Sequence, residues 1–378
     1  MNNRRLKVLT ILGTRPEIIR LSRTMAALDK YTDHQIAHTG QNYDYELNQI
    51  FFDDLEIRKP DHFMGVDTSS LGNVLGGTLI ESEKILRQEQ PDAVVILGDT
   101  NSALAGIMAR RMKIPLYHME AGNRCFDLNV PEETNRRIID HVSDFNLVYT
   151  EHARRHLLSE GIDHRRIYVT GSPMKEVLDH YGDKIQASTA LADLGLSPRQ
   201  YILVSMHREE NVDYEAPLTE LVRGLTMLSE QFSMPVVVST HPRTQKRLDQ
   251  FGLEVDQDKV RFLKPFGFCD YNKLQQDSFC VVSDSGTISE ESSMLGFPAV
   301  TIRNALERPE AMDTGSIVLT GTRADRILDC VSAVTDQFTN GVIAPVPQDY
   351  QVTNTSQRVL KIILGTAKLA HRWQGIEA

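Results

Sequence analysis

Apolar residues in this chain fall in short runs, each closed by a polar or glycine-containing turn. Lys7–Leu12 (KVLTIL) is the first run and Ala93–Leu97 (AVVIL) the next clear one; Pro115–Met119, Phe145–Tyr149 and Arg166–Thr170 follow. Runs of this length without polar alternation read as strands buried on both faces, the pattern of a parallel sheet. Pro16 sits where a helix beginning just after the first strand accepts a proline. The pattern loosens from Gly171 to Ser197, with Gly182, Gly195 and Pro198 as punctuation. It restarts with Tyr201–Met206 (YILVSM), Pro235–Ser239 (PVVVS), Val260–Leu263, Phe279–Ser283 (FCVVS) and Pro298–Ile302 (PAVTI), separated by helical stretches. Two such halves predict an α/β chain of two Rossmann-like domains facing a central cleft, over residues 1–171 and 172–355. The remainder, 356–378, belongs to a helical segment with an apolar stripe at Val359, Ile362, Ile363 and Ala367, expected to pack back as a brace.

Composition narrows the class. At 378 residues the chain exceeds one ordinary core, in keeping with two domains. It lacks an apolar run near the roughly 20 residues that span a bilayer. Its start shows no signal-peptide pattern, so a cytoplasmic location is expected. The net charge of -10 argues against binding nucleic-acid backbone. A few arginines focused in a cleft still suit an anionic ligand. Cys125, Cys269, Cys280 and Cys330 show neither paired nor metal-ligand spacing and read as small buried fillers.

Chemistry-bearing residues gather at the ends of the predicted strands. Gly13-Thr14-Arg15-Pro16-Glu17 lacks the G-x-G-x-x-G spacing of a dinucleotide site, so a nicotinamide cofactor is not expected. It does put Arg15 beside a helix N-terminus, where guanidinium and helix dipole both favour an anion. Asp284-Ser285-Gly286-Thr287 follows a strongly apolar strand and opens a helix bearing Glu290 and Glu291. Backbone N–H groups there suit a diphosphate, and a carboxylate further along suits ribose hydroxyls. Asp99, Glu120, Glu132, Glu133 and His207 are the acid–base candidates. Carboxylates brought together repel, which raises one pKa and makes an acid near neutrality. Each also has a bland reading as a solvated or ion-paired group. His118, His141, His152, His156 and His241 form no metal-spaced set, so no metal is expected; only His241 falls at a strand end.

Taken together, the blocks GTRPE (13–17), GDT (98–100), EAG (120–122), PEETNR (131–136), HREEN (207–211), DSGTISEE (284–291) and ERPE (307–310) resemble the non-hydrolysing UDP-N-acetylglucosamine 2-epimerases across essentially the whole chain. The resemblance implies the two-domain GT-B-like architecture shared with many nucleotide-sugar glycosyltransferases, and a homodimer. It implies C2 inversion of a UDP-2-acetamido sugar without an added cofactor, by elimination of UDP to a glycal and re-addition. By the same resemblance Asp99, Glu120 and Glu132 are the acid–base group and His207 an essential residue near the diphosphate. Arg15, Arg20, Arg136, His241, Ser285, Gly286, Thr287 and Arg308 fall to phosphates or sugar, Glu291 to ribose, and Tyr271 to stacking on uracil.

The chain departs from the glucosamine enzymes in several places. Arg20 stands where they carry lysine, and Glu209 where their histidine block is basic, which bears on activation by a second substrate molecule. The segment 120–131 (EAGNRCFDLNVP) is shorter than its usual counterpart, and DSGT replaces DSGG. These features resemble the branch that makes UDP-N-acetyl-L-fucosamine from UDP-2-acetamido-2,6-dideoxy-L-talose for O-antigen or capsule precursors. UDP-GlcNAc/UDP-ManNAc epimerisation is the alternative within the family, and a UDP-sugar-dependent glycosyltransferase the alternative of another class.

Overall fold

The five residues of Ala93–Leu97 are all buried, so neither face of this strand meets water. That burial, worth roughly 1.5–3 kcal/mol for each Val, Leu or Ile side chain, is why the run needs no polar alternation. The computed structural model describes residues 4–40, 52 and 54–376. They form two units: Met1–His180 with Gln351–Ala378, and Tyr181–Tyr350.

In the first unit, the described strands are β1 (Lys7–Leu12), β2 (Asp33–His38), β3 (His62–Phe63), β4 (Ala93–Leu97), β5 (Leu116–Ala121), β6 (Phe145–Val148) and β7 (Ile167–Val169). They build one parallel sheet in the order β3-β2-β1-β4-β5-β6-β7. The second unit contains β8 (Ile202–Met206), β9 (Val236–Thr240), β10 (Val260–Leu263), β11 (Cys280–Ser283), β12 (Ala299–Thr301) and β13 (Val318–Leu319). Its parallel sheet runs β10-β9-β8-β11-β12-β13. Both are doubly wound, as expected of Rossmann-like domains. In each, strand order reverses once, between β1 and β4 and between β8 and β11, and the carboxyl ends beside such a switch are where α/β sheets take ligands.

Alternate residues of one strand feed opposite apolar layers. In the second unit Ile202 and Val204 pack with Leu221, Leu225 and Ile327, while Leu203 joins Val281, Leu274 and Ile288 on the other face. In the first, Leu9 and Ile11 pack with Val74, Leu86 and Ala109. The final segment returns to the first unit: Thr355 Oγ1 donates to the carbonyls of Thr170 and Ser172, and the Tyr117 and Thr366 hydroxyls meet at 2.7 Å. The helical segment expected over 355–373 is two helices, Thr355–Thr366 and Ala370–Trp373. Among the described residues, no helix is long and apolar enough to cross a membrane.

Strands β2, β3 and β13 carry no apolar run and escape a reading by hydropathy. β2 (DHQIAH) buries two histidines instead, with His34 Nε2 2.8 Å from Thr10 Oγ1 and Nδ1 2.6 Å from Asp29. His38 is 2% exposed, lies parallel to the Phe63 ring at 5.7 Å, and accepts the Gly40 N–H at Nδ1. Burial pushes its imidazole down to about 4 from an ordinary 6.5. The unfolded chain therefore binds the proton more readily, and stability falls as pH drops from about 6.5 towards 4, by about 3 kcal/mol from this group. Urea unfolding at pH 7 and pH 4.5 should show that loss in the wild type and a clearly smaller one in His38→Gln; equal losses would contradict it.

Candidate active site

The turns after β1 and β4 are tied together by one carboxylate. Glu17, 1% exposed in the helix Arg15–Tyr31, accepts the Gly13 and Thr14 N–H groups at 2.7 Å, the Thr100 hydroxyl at 2.9 Å and the Ser102 hydroxyl. Burial raises its carboxyl above the ordinary range, against the pull of these donors. Thr100 is thus committed to Glu17 and does not cap the next helix with its side chain. Arg15, half-buried, is the first residue of the helix that Glu17 anchors.

Asp99 follows in the second of these turns. Arg136 Nε and Nη2 both donate to its Oδ2, at 3.0 and 2.6 Å, while Asn135 donates to its main-chain carbonyl at 3.0 Å. Arg136 and Glu132 share the helix Glu132–Val142, which Glu132 opens in a half-buried position. Glu133 is fully buried and serves as an anchor: it accepts from Cys125 N–H and Sγ, Arg136 and Arg137. Burial works against its charge, but those donors hold its carboxyl below the usual range. Burial likewise pushes the Cys125 thiol up to about 11, leaving it a filler that donates to Glu133.

Glu120 sits at an irregularity of β5, where pairing with β6 shifts register between Met119 and Ala121. Its φ of +66° is a left-handed conformation that a non-glycine residue adopts only when its surroundings enforce it. The enforcement is visible one turn on. Asp140, fully buried, accepts the Gly122 N–H with both oxygens at 3.2 Å and Arg124 Nη1 at 2.7 Å, with His118 Nδ1 3.0 Å away. The Glu120 carboxylate is ion-paired with Arg20, takes the Asn123 amide at 3.3 Å, and has the Tyr149 hydroxyl at 3.5 Å.

These contacts revise one expectation. Carboxylates at these strand ends were expected to press on one another; instead Asp99 has Arg136, Glu120 has Arg20, and Glu133 has two arginines. Arg20, expected among ligand-binding residues, lies with its side chain 5% exposed against Glu120, its guanidinium 6.0 Å from the Tyr149 ring centre.

In the second unit the turns after β8 and β11 are again joined by a carboxylate. Asp284, fully buried, accepts the main-chain N–H of His207 and of Arg208, and the Asn211 amide at 3.1 Å. The Nδ1 of His207 lies 2.9 Å from its Oδ1. Burial would raise this carboxyl; the His207 ring and the N–H groups of Arg208 and His207 instead hold it far below the usual range. His241 stands with its ring 5.9 Å from that of His207 and caps the helix Pro242–Phe251, Nδ1 accepting the Arg243 N–H at 3.1 Å.

The helix after β11 begins at Ile288, one turn later than the sequence suggested. Ser285, Gly286 and Thr287 form the turn before it, with the Ser285 and Thr287 hydroxyls 2.8 Å apart. A Cβ on Gly286 would lie 3.1 Å from Arg308 Nη1 and 3.5 Å from Arg208 Nη2, so glycine here admits two guanidiniums. Arg308 is buried, donates to the Gly286 carbonyl, and has Nε 3.5 Å from Glu290. A small pocket here is lined by Ser285, Gly286, Thr301, Arg303, Glu307 and Arg308. Glu291 accepts from Gln275 at 2.7 Å. Tyr271 packs on the Leu274–Ile288 layer, with its hydroxyl buried towards Ser205 and Ser283, so only part of its ring is left for stacking.

Sequence reasoning missed Glu17, Asp140, Arg208 and Arg303, and it read Asp284 only as the start of a phosphate turn. Glu17, Arg208 and Asp284 lie inside the quoted blocks; what was missing is that such turns leave N–H groups for a buried acid to accept.

The chain is similar to known proteins over nearly its full length. A profile of the family described as UDP-N-acetylglucosamine 2-epimerase matches residues 26–364. The structure of UDP-N-acetylglucosamine 2-epimerase from Rickettsia bellii superposes with a TM-score of 0.90 at 46% identity, covering 97% of this chain and 98% of that one. The Methanocaldococcus jannaschii UDP-GlcNAc 2-epimerase in complex with UDP-GlcNAc and UDP superposes with a TM-score of 0.89 at 33% identity, covering 95% and 100%. The UDP-2,3-diacetamido-2,3-dideoxy-D-glucuronate 2-epimerase of Pseudomonas aeruginosa is 34% identical, over 86% of this chain and 91% of its own length.

Because Glu17 satisfies four donors at once, Glu17→Ala should destabilise the first unit by about 3 kcal/mol or more. Urea unfolding followed by circular dichroism reads this; a loss below about 1 kcal/mol would show that the turns hold without it.

Proposed function

The chain belongs to the UDP-N-acetylglucosamine 2-epimerase family, and we propose that its reaction is C2 inversion of UDP-2-acetamido-2,6-dideoxy-L-talose to UDP-N-acetyl-L-fucosamine. The observation that carries the chemistry is the pair Asp99 and Glu120, at the carboxyl ends of neighbouring parallel strands β4 and β5, each held by its own guanidinium. A carboxylate of the set formed with Glu132 removes the C2 proton as the C1–O bond breaks. The C–H electron pair becomes the C1–C2 double bond, and the C1–O pair leaves on the β-phosphate oxygen of UDP. UDP then returns to C1, and C2 takes its proton from an acid on the opposite face.

The second unit supplies what a nucleoside diphosphate needs: the Ser285–Thr287 turn with Arg208 and Arg308 beside Gly286 for the diphosphate, Glu291 for ribose and Tyr271 for uracil. In the first unit Arg15, Arg20 and Arg136 supply positive charge near the sugar. Relatives named for two different UDP-2-acetamido sugars match this chain, UDP-N-acetylglucosamine enzymes at 33% and 46% identity and the diacetamido-glucuronate enzyme at 34%, and the 6-deoxy sugar is argued from the chain's own departures. The segment after Glu120 is one of them. Asn123 donates to Glu120, and Arg124 is buried between Asp140 and Glu160, so this segment shapes the surroundings of the Glu120 carboxylate. The proposal includes a cytoplasmic homodimer making an O-antigen or capsule precursor.

Incubation with each sugar nucleotide in deuterated water should give inversion and C2 deuteration of the 6-deoxy talose substrate, and none of UDP-GlcNAc. Exchange with UDP-GlcNAc alone would overturn the substrate and leave the reaction class. Asp99→Asn and Glu120→Gln should each lower the exchange rate by about 10² to 10⁴. A glycosyltransferase would keep nearly full UDP-sugar turnover in both.

A further inference from the structure

We infer that Asp284 is a positioning residue that keeps a proton on Nδ1 of His207 and so leaves Nε2 as the ring nitrogen that meets the departing diphosphate. This deepens the elimination reading above and rests on it. A carboxylate only accepts hydrogen bonds, so a ring nitrogen facing it at 2.9 Å must be the protonated one. The opposite nitrogen, Nε2, is then the one available for ligand, on a side chain that is 39% exposed while Asp284 is fully buried. His207 has little choice of orientation, because the same carboxylate also accepts its main-chain N–H, that of Arg208 and the Asn211 amide.

The placement couples the ring to the diphosphate turn. Asp284 is the residue immediately before Ser285, so the group that orients His207 also begins the turn with Gly286. Arg208, next to His207, reaches within 3.5 Å of where a Cβ of Gly286 would stand. When the C1–O bond breaks, negative charge grows on the β-phosphate oxygen. An imidazolium whose Nδ1–H is paired with the buried carboxylate stabilises that charge by donating its second proton from Nε2, as the acid of a catalytic triad supports its protonated histidine. No bond to His207 forms. Without the carboxylate as counter-charge the ring falls back to one proton, and a neutral ring protonated only at Nδ1 would turn a lone pair to the phosphate.

The tautomer is read directly by long-range ¹H–¹⁵N correlation on protein labelled at histidine and saturated with UDP, the His207 signal being assigned by its absence in His207→Gln. The expected result is a His207 ring protonated at both nitrogens in the wild type, a state lost in Asp284→Asn, whose amide carries no charge; a wild-type ring protonated at only one nitrogen overturns the inference. An unprotonated Nδ1 in the wild type overturns the inference whether or not any variant folds. Kinetically, Asp284→Asn should lower kcat on the order of 10²-fold with KM within a few-fold. Combined with His207→Gln it should add almost nothing, since the two changes act through one group. Additive losses would assign Asp284 a purely structural role and overturn the proposal. If wild-type protein fails to exchange C2 with either sugar, the elimination reading falls while the tautomer result stands by itself.

Discussion

The turns that leave a parallel sheet beside its switch point expose main-chain N–H groups that no neighbouring strand can satisfy, and burying them unpaired costs more than burying a charge that accepts several at once. Glu17, Asp140 and Asp284 are this chain's answers to that constraint. Each is buried, each accepts N–H groups from a turn after a strand, and each turn also carries a residue with chemistry: Arg15, Glu120 and His207 respectively. Glu17 also takes the hydroxyls of Thr100 and Ser102, which brings the Asp99 turn under the same anchor. A carboxylate suits the task because it offers about four acceptor sites in one compact group, more than a serine or an asparagine can. The groups proposed to react thus inherit rigidity from the buried acids beside them, the support that preorganised catalysis requires.

Much of this was legible in the amino-acid sequence, for physical reasons that also mark the limit. AVVIL and CVVS are buried on both faces, so hydropathy alone reveals them, and the motifs of the candidate site stand at their carboxyl ends. β2 is buried at four of its six positions but reads as polar, because Thr10 and Asp29 satisfy His34, and Gly40 donates to His38; those partnerships link residues that hydropathy treats as unrelated. Glu120 was legible as a strand-end acid, but its left-handed backbone depends on a register shift against β6 and on Asp140, 20 positions away. The pairing of Arg20 with Glu120, 100 positions apart, is likewise a product of folding. Sequence therefore names candidate groups and leaves their partners to the fold.

Partners matter because they change the electrostatic problem. Carboxylates facing one another would tune themselves by repulsion, whereas here each strand-end acid meets a guanidinium. An opposite charge this close favours the charged form of a carboxylate, whereas a second carboxylate would disfavour it. For Asp99 the grip is two donors on one oxygen, which fixes orientation as well as charge. The other oxygen is left out of that grip.

The second unit repeats the logic with the signs reversed. Arg208, Arg303 and Arg308 stand around the Ser285–Gly286 turn, and each has an acid near it: Glu307 lies 3.7 Å from Arg208 and 2.9 Å from Arg303, and Glu290 3.5 Å from Arg308. A diphosphate entering here meets guanidiniums already oriented by those acids, so little reorganisation is required of the protein. The same acids compete with the phosphate for the guanidiniums and temper its affinity. An epimerase that works through a free glycal needs both properties, since UDP must stay long enough to be re-added and must leave with the product. A purely basic pocket would supply the first at the expense of the second. For the proposed reaction, acid-paired arginines in a chain of net charge -10 reconcile the two and let an acidic protein host a departing diphosphate.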